Sequence, residues 1–129
     1  MPGQHIAVVN DDPTFLSFME DLLKGEGYPA TFWATGEMAF GMIRDRQPDV
    51  VVLDIRMETP DAGLVILEMM RLDRGTVHIP VIVCSADLVF LHMQQERLHA
   101  LNCEVLEKPF SIDALLGMLA RFIGPPSGE

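Results

Sequence analysis

The chain has 129 residues, about half of them hydrophobic, which is enough for one folded domain with an apolar core. Its 19 acidic and 9 basic residues give a formal net charge of −10. Such a chain lacks the basic surface that neutralises nucleic-acid phosphates, so we expect no direct nucleic-acid binding. The excess of carboxylates suits a divalent cation or a basic partner surface instead.

The sequence also lacks the usual signals for membrane insertion and export. No apolar run is long enough to span a bilayer, and residues 1–5 do not begin a signal peptide, so we expect a cytoplasmic protein that does not enter a membrane.

The two cysteines, Cys84 and Cys103, are expected at opposite ends of neighbouring parallel strands. That separation is too large for a disulfide, so both are interpreted as reduced, packing residues.

Short apolar runs rich in β-branched residues alternate with segments of helical periodicity along the whole chain. The predicted strands cover residues 5–10, 30–34, 49–54, 79–84 and 104–106. The predicted helices follow each strand, the last three covering residues 63–71, 88–101 and 112–123. This alternation indicates an α/β fold, with a parallel sheet covered by helices on both faces.

Capping residues mark where several of these helices begin. Asp12 with Pro13 at the first helical position predicts the start of the first helix, and Gly25 and Gly27 its end. Thr35 and Ser111 are the predicted caps of the second and last helices. The buried face of the first helix is predicted from apolar residues at helical spacing: Phe15, Phe18, Met19, Leu22 and Leu23. Residues 1–123 are assigned to one domain, and residues 124–129 to a tail or linker.

Polar residues follow the predicted strands at their carboxyl ends, where open parallel sheets bind ligands. The first strand ends in Asn10-Asp11-Asp12 and the third in Asp54. If these strands are neighbours, three carboxylates converge on one cleft and repel each other unless a cation lies among them. Oxygen ligands favour Mg²⁺ or Mn²⁺ over Zn²⁺.

Two further strand ends contribute Ser85 and Lys108. A phosphoryl group on Asp54 would gain the cation, the ammonium of Lys108 and the hydroxyl of Ser85, which are the charge-stabilising groups that phosphoryl transfer requires. These residues therefore indicate a phosphoacceptor site centred on Asp54.

The ordered set Asn10-Asp11-Asp12-Pro13, Val51-Val52-Leu53-Asp54, Cys84-Ser85-Ala86 and Lys108-Pro109-Phe110 resembles the receiver domain of two-component response regulators, the CheY-like family. The resemblance extends over roughly residues 4–123. It implies a flavodoxin-like, doubly wound sheet of five parallel strands in the order 2-1-3-4-5.

The same resemblance implies a role for each site residue. Asp54 is phosphorylated by a sensor histidine kinase or a phosphotransfer domain, without acting as an enzyme on an external substrate. Asp11, Asp12, Asp54 and the backbone carbonyl of Arg56 hold Mg²⁺. Ser85 and Lys108 bind the phosphoryl group, and the peptide bond before Pro109 is cis. The output face spans residues 88–123, and a homodimer through it is compatible with the sequence.

Two departures from the family pattern bear on switching. Val105 stands where the family usually has an aromatic residue, three places before the lysine, so we expect any signal to travel by loop motion. In the loop after Asp54, the proline is displaced to Pro60 and Gly63 comes about one residue late. Glu58 is a candidate further acidic group near the site.

Three alternative functions compete with that of a phosphoacceptor. A degenerate receiver that acts only as an interaction module is favoured by Val105 and the longer loop. A phosphatase with an aspartyl nucleophile would need an Asp-x-Asp pair after the first strand, and a flavodoxin-like cofactor binder would need a Ser/Thr/Gly-rich loop there.

His92 and His99 share a face of the predicted helix, but no third metal ligand is evident. The sequence names neither the kinase nor the output.

Overall fold

The computed structural model describes residues 4–57 and 59–126, which form alternating strands and helices. The strands are β1 (Ile6–Val9), β2 (Ala30–Trp33), β3 (Val50–Asp54), β4 (Val81–Ser85) and β5 (Glu104–Glu107). The helices are α1 (Pro13–Glu26), α2 (Ala39–Arg46), α3 (Ala62–Leu72), α4 (Leu88–Met93), α5 (Gln95–Ala100) and α6 (Ile112–Ile123). In this described part of the chain, no helix is long and apolar enough to cross a membrane.

All five strands are parallel and lie in the order β2-β1-β3-β4-β5, which confirms the predicted doubly wound fold. β1 and β3 pair directly, with Val9 opposite Leu53. Every residue of β1, β3 and β4 is buried, as expected of central strands covered on both faces. The order reverses between β1 and β3, and the ends of these two strands therefore lie side by side.

Two apolar clusters cover the two faces of the sheet. Residues of α1 and α6 pack on one face, around side chains that include Val8, Val52 and Leu115. Residues of α2, α3, α4 and α5 pack on the other, around Val9 and Leu53. Cys84 and Cys103 are free, as predicted, and burial raises the pKa of the Cys84 thiol to about 12.

Most of the predicted helix starts and ends are confirmed. Asp12 caps α1 by accepting a hydrogen bond from the backbone N–H of Thr14, and Ser111 caps α6 in the same manner through Ala114. Gly27 ends α1 in the left-handed conformation, with φ of 88°, which a residue without Cβ adopts readily. Gly25 lies within the helix, so its prediction as a stop signal was wrong.

Three other predictions were wrong in ways that tertiary packing explains. Thr35 does not cap α2, because residues 36–38 form a turn and the helix begins at Ala39. Phe18 is 40% exposed, since Met19 and Leu23 occupy the centre of the buried face of α1. The predicted helix over residues 88–101 is two helices, α4 and α5, which break at Gln94. Leu91 and Leu98 are both buried across this break.

The start of the predicted tail packs against the domain. Gln4 Nε2 donates hydrogen bonds to the carbonyl oxygens of Ile123 and Pro125, and the Tyr28 hydroxyl donates to that of Gly124. Residues 124–126 are therefore held against the domain, and the rest of the predicted tail lies outside the described residues.

Candidate phosphoacceptor site

The carboxyl ends of β1, β3, β4 and β5 surround one cavity of about 340 Å³. Its lining includes all the side chains that the sequence predicted for binding of the cation and the phosphoryl group: Asp11, Asp12, Asp54, Ser85 and Lys108. Arg56 and Asn10 also line it. The cavity lies where the strand order reverses, which is where open α/β sheets bind ligands.

Asp54 is the last residue of β3 and is only 8% exposed. Burial raises the pKa of its carboxyl group, because the charged form loses hydration. The ammonium of Lys108 and the backbone N–H of Arg56 act in the opposite direction, and the charge of Asp11 raises the pKa again. The net result is a carboxyl group with a raised pKa, and the charged side chains that shift this pKa are Lys108 and Asp11.

Asp11 and Asp12 are adjacent in sequence but differ in what their side chains do. The charge of Asp11 raises the pKa of Asp54. Asp12 Oδ1 instead accepts a hydrogen bond of 3.0 Å from the backbone N–H of Thr14. Asp12 thus uses one carboxylate oxygen to cap α1. Over residues 4–57 and 59–126, no three His, Cys, Asp or Glu side chains come close enough together to hold a metal ion, so the prediction of Asp11, Asp12 and Asp54 as three carboxylate ligands of one cation was wrong. His92 and His99 form no such group either.

The carboxylate pair of Asp11 and Asp54 fits a hard cation nonetheless. Mg²⁺ keeps several waters in proteins and usually takes only one or two carboxylates, so the two acids with a backbone carbonyl make a sufficient donor set. Glu58, the further acid that the sequence predicted near the site, lies outside the described residues.

Lys108 is placed by β5 and by the ring of Phe15 in α1. Its backbone N–H donates to the carbonyl of Ser85, and its Nζ atom lies 4.3 Å from the centre of the Phe15 ring. Phe110 meets Phe15 edge to face at 6.2 Å. The peptide bond between Lys108 and Pro109 is cis, in agreement with the expectation from the resemblance. The ring of Phe15 therefore supports the ammonium through a cation–π contact.

Ser85 is the last residue of β4 and is 1% exposed. Its Oγ atom accepts a hydrogen bond of 3.1 Å from the backbone N–H of Asp87. Asp87 in turn caps α4 through Phe90, and its other oxygen lies 3.0 Å from the guanidinium of Arg56. Ser85 is thus joined through Asp87 both to the start of α4 and to the loop after Asp54.

The loop after Asp54 returns to the strand through a close contact at Gly63. The N–H of Gly63 donates a 2.7 Å hydrogen bond to the carbonyl of Ile55, and a Cβ at this position would lie 2.0 Å from the carbonyl oxygen of Asp54. Within the loop, the N–H groups of Met57 and Ala62 donate to the carbonyl of Thr59. The lengthened loop therefore still brings a glycine against the end of β3.

Sequence reasoning missed three participants: Asn10, Arg56 through its side chain, and Asp87. Asn10 was noted only as part of a motif, yet it is 1% exposed and lines the cavity. Its position directly after a buried strand was a usable signal. The ion pair between Arg56 and Asp87 joins two loops that are 31 positions apart, and no local pattern predicts it.

Comparison with known proteins gives the family. A sequence model described as the response regulator receiver domain matches residues 6–120. The chain belongs to this family.

Individual relatives agree with that assignment. The polar-differentiation response regulator DivK of Brucella ovis is 25% identical over 120 residues, covering 92% of this chain and 95% of DivK. The receiver domain of the sensor histidine kinase PA1611 from Pseudomonas aeruginosa, solved with a magnesium ion coordinated in its active-site cleft, is 28% identical with a TM-score of 0.81 and covers 95% of this chain and 98% of that one. The receiver domain of the Francisella response regulator 1452 is 28% identical, with a TM-score of 0.80 and coverage of 93% and 96%. The chain is thus a receiver domain of the response regulator type, which implies a role in two-component signalling.

Proposed function

We propose that this receiver domain is a phosphoacceptor whose nucleophile is Asp54, and that the reaction depends on Mg²⁺, which Mn²⁺ can replace. The donor is the phosphohistidine of a sensor histidine kinase or a phosphotransfer domain. The observation that carries the proposal is the shared cavity, in which a buried carboxyl group faces Asp11, Ser85 and Lys108. The protein turns over no external substrate.

The chemical step needs an ionised Asp54 beside a phosphohistidine. A carboxylate oxygen forms the new bond to phosphorus while the P–N bond breaks, and its electron pair remains on the imidazole nitrogen. Lys108 favours the ionised state of Asp54 before the step and then pairs with a phosphoryl oxygen. Asp11, Asp54 and the backbone carbonyl of Arg56 would hold the cation, which would neutralise charge on the phosphoryl oxygens.

The response begins at Ser85. The phosphoryl group offers the Ser85 hydroxyl a charged acceptor, and movement of its Oγ atom removes the acceptor of the Asp87 N–H. Because Asp87 caps α4, the change reaches the 88–123 face, which we propose as the surface for the output partner. The protein's effect is therefore exerted through protein–protein contacts, without direct contact with nucleic acid.

Phosphotransfer chemistry can be tested with a small donor. The chain is incubated with acetyl phosphate and Mg²⁺, and its intact mass is compared with that of an Asp54→Asn control and of a sample in EDTA. The gain of one phosphoryl group by the unmodified chain alone, and only with Mg²⁺, is the expected result. A gain by the Asp54→Asn control as well would place the modification elsewhere and refute the assignment.

A second candidate is a degenerate receiver that works as an interaction module without phosphorylation. The observation that favours it is an open cavity of about 310 Å³ between α4, α5 and β5, which Val105 lines without filling. A folded chain that takes no phosphoryl group from acetyl phosphate or a cognate kinase, and binds no Mg²⁺ in a calorimetric titration, would favour this candidate.

A further inference from the structure

Asn10 is a buried amide at the phosphoacceptor cavity that neither the proposed transfer step nor the response from Ser85 uses. It follows β1 directly, and its backbone N–H donates to the carbonyl of Trp33. Its side chain is 1% exposed and lines the same cavity as Asp54 and Lys108. A polar side chain buried to this degree normally has all its polar atoms in hydrogen bonds.

The orientation of the Asn10 amide is determined by its neighbour. Oδ1 accepts a hydrogen bond of 2.9 Å from the backbone N–H of Asp12. In the opposite orientation, the N–H₂ group of Asn10 would face the N–H of Asp12, and two donors would oppose each other. Nδ2 is therefore the side-chain atom that this hydrogen bond does not use. Within residues 4–57 and 59–126, Asn10 Nδ2 is the one buried side-chain nitrogen or oxygen without a hydrogen-bond partner.

The chemistry of an amide N–H₂ group determines which kind of atom can be its hydrogen-bond partner. It can only donate, so it needs an oxygen atom with a lone pair. A cation would repel the amide hydrogens, and a water bound to a cation directs its own hydrogens outward. An anionic oxygen is complementary to the amide, and a hydrogen bond to a charged acceptor is among the stronger ones in proteins.

We infer that Asn10 donates a hydrogen bond from Nδ2 to an oxygen of the phosphoryl group on Asp54. The inference rests on the proposed function and adds a phosphoryl-binding residue to it. Asn10 is thereby a neutral donor that works beside Lys108, while Asp11 and Asp54 supply the carboxylates for the cation. Since an amide does not titrate, Asn10 adds no negative charge to repel the incoming group.

The test uses beryllofluoride, a phosphoryl analogue, on the full chain in saturating Mg²⁺. In ¹H–¹⁵N spectra, the Asn10 side-chain protons are expected to shift downfield and exchange more slowly with water when beryllofluoride binds. The side-chain amide of Gln47 serves as an internal control, because it already donates to the carbonyls of Arg44 and Gly75. Its protons should not move.

Two substitutions extend the test. Asn10→Ala removes the donor and should weaken beryllofluoride binding, followed by ¹⁹F NMR, about tenfold or more at saturating Mg²⁺. Asn10→Asp keeps the shape but adds a carboxylate, and should tighten Mg²⁺ binding about tenfold or more in calorimetry. Gln95→Ala, which removes an exposed amide on α5, is the matched control and should change neither value.

The outcomes separate this inference from the proposed function. If beryllofluoride binds at Asp54 while the Asn10 protons stay in place and the Asn10→Ala variant binds it equally well, the proposed function stands and the role of Asn10 is refuted. If the unmodified chain binds no beryllofluoride and accepts no phosphoryl group, both are refuted. The spectra of the unmodified chain decide the matter even if a variant fails to fold.

Discussion

Substitution of Gly63 by alanine should damage the domain at the point where α3 begins against the end of the phosphoacceptor strand. An added Cβ would lie 2.0 Å from the carbonyl oxygen of Asp54 and 2.7 Å from the Cα atom of Ile55. Ordinary contacts of this kind are 3.4–4 Å, so the backbones must separate by more than 1 Å. Both partners are backbone atoms at the end of a buried strand, which cannot turn aside as a flexible side chain does.

We expect Gly63→Ala to lower the free energy of unfolding by about 3 kcal/mol, the upper end for overpacking of a rigid interior. For a chain of this size, that corresponds to a fall in Tm of roughly 10 °C. Urea unfolding followed by circular dichroism measures the loss directly. The variant should also accept phosphoryl groups more slowly, because the strain displaces Asp54.

Gly117 provides the matched control. It is an exposed residue within α6, and an added Cβ there would meet nothing within 4 Å. Gly117→Ala should raise the free energy of unfolding by about 0.5–1 kcal/mol, because alanine favours the helix. If Gly63→Ala unfolded within about 0.5 kcal/mol of the unmodified chain, on the scale of an unexceptional surface substitution, the steric reasoning would be wrong.

Three further changes have defined outcomes. Arg71→Lys should cost about 2 kcal/mol in urea unfolding, because the guanidinium donates to four backbone carbonyls that one ammonium cannot span; an unchanged midpoint would contradict this. Asp54→Asn should stabilise the metal-free chain at neutral pH. Because burial raises the native pKa of Asp54, the unmodified chain loses stability as pH rises from the ordinary carboxyl pKa through that raised value, whereas the variant does not. Urea unfolding in EDTA across this range should show the difference appear with rising pH and then stay constant. Val105→Phe should add about 1 kcal/mol of stability by filling the cavity beside β5, and a lower unfolding midpoint would show that the cavity cannot take a ring.

The ion pair between Arg56 and Asp87 illustrates the limit of electrostatic arguments at this site. Both side chains are partly exposed, and such pairs contribute about 0–1 kcal/mol. Its significance lies in its position, since it connects the loop after Asp54 to the residue that caps α4. Removal of the pair should therefore alter the response to phosphorylation more than the stability of the fold.

Local patterns in the sequence were sufficient for the fold and for most of the site. β-branched runs predicted all five strands, Asp12 and Ser111 marked the starts of α1 and α6, and the residues that end the strands named Asp54, Ser85 and Lys108. These signals succeed because strand burial and capping depend on residues that are close in the chain. The break at Gln94 was not predictable in this way, since neither glycine nor proline marks it.

The sequence by itself determined which side chains stand at the carboxyl ends of the strands, because that order follows from hydrophobic periodicity and the parallel arrangement. Only the tertiary structure decided how deeply each of these side chains is buried and which contacts it makes. It buries Asn10 at the same cavity as Asp54, where its N–H₂ group has no hydrogen-bond partner among the described residues, and it sets Lys108 over the ring of Phe15. Each of these outcomes depends on contacts between segments distant in sequence, and packing alone brings those segments together.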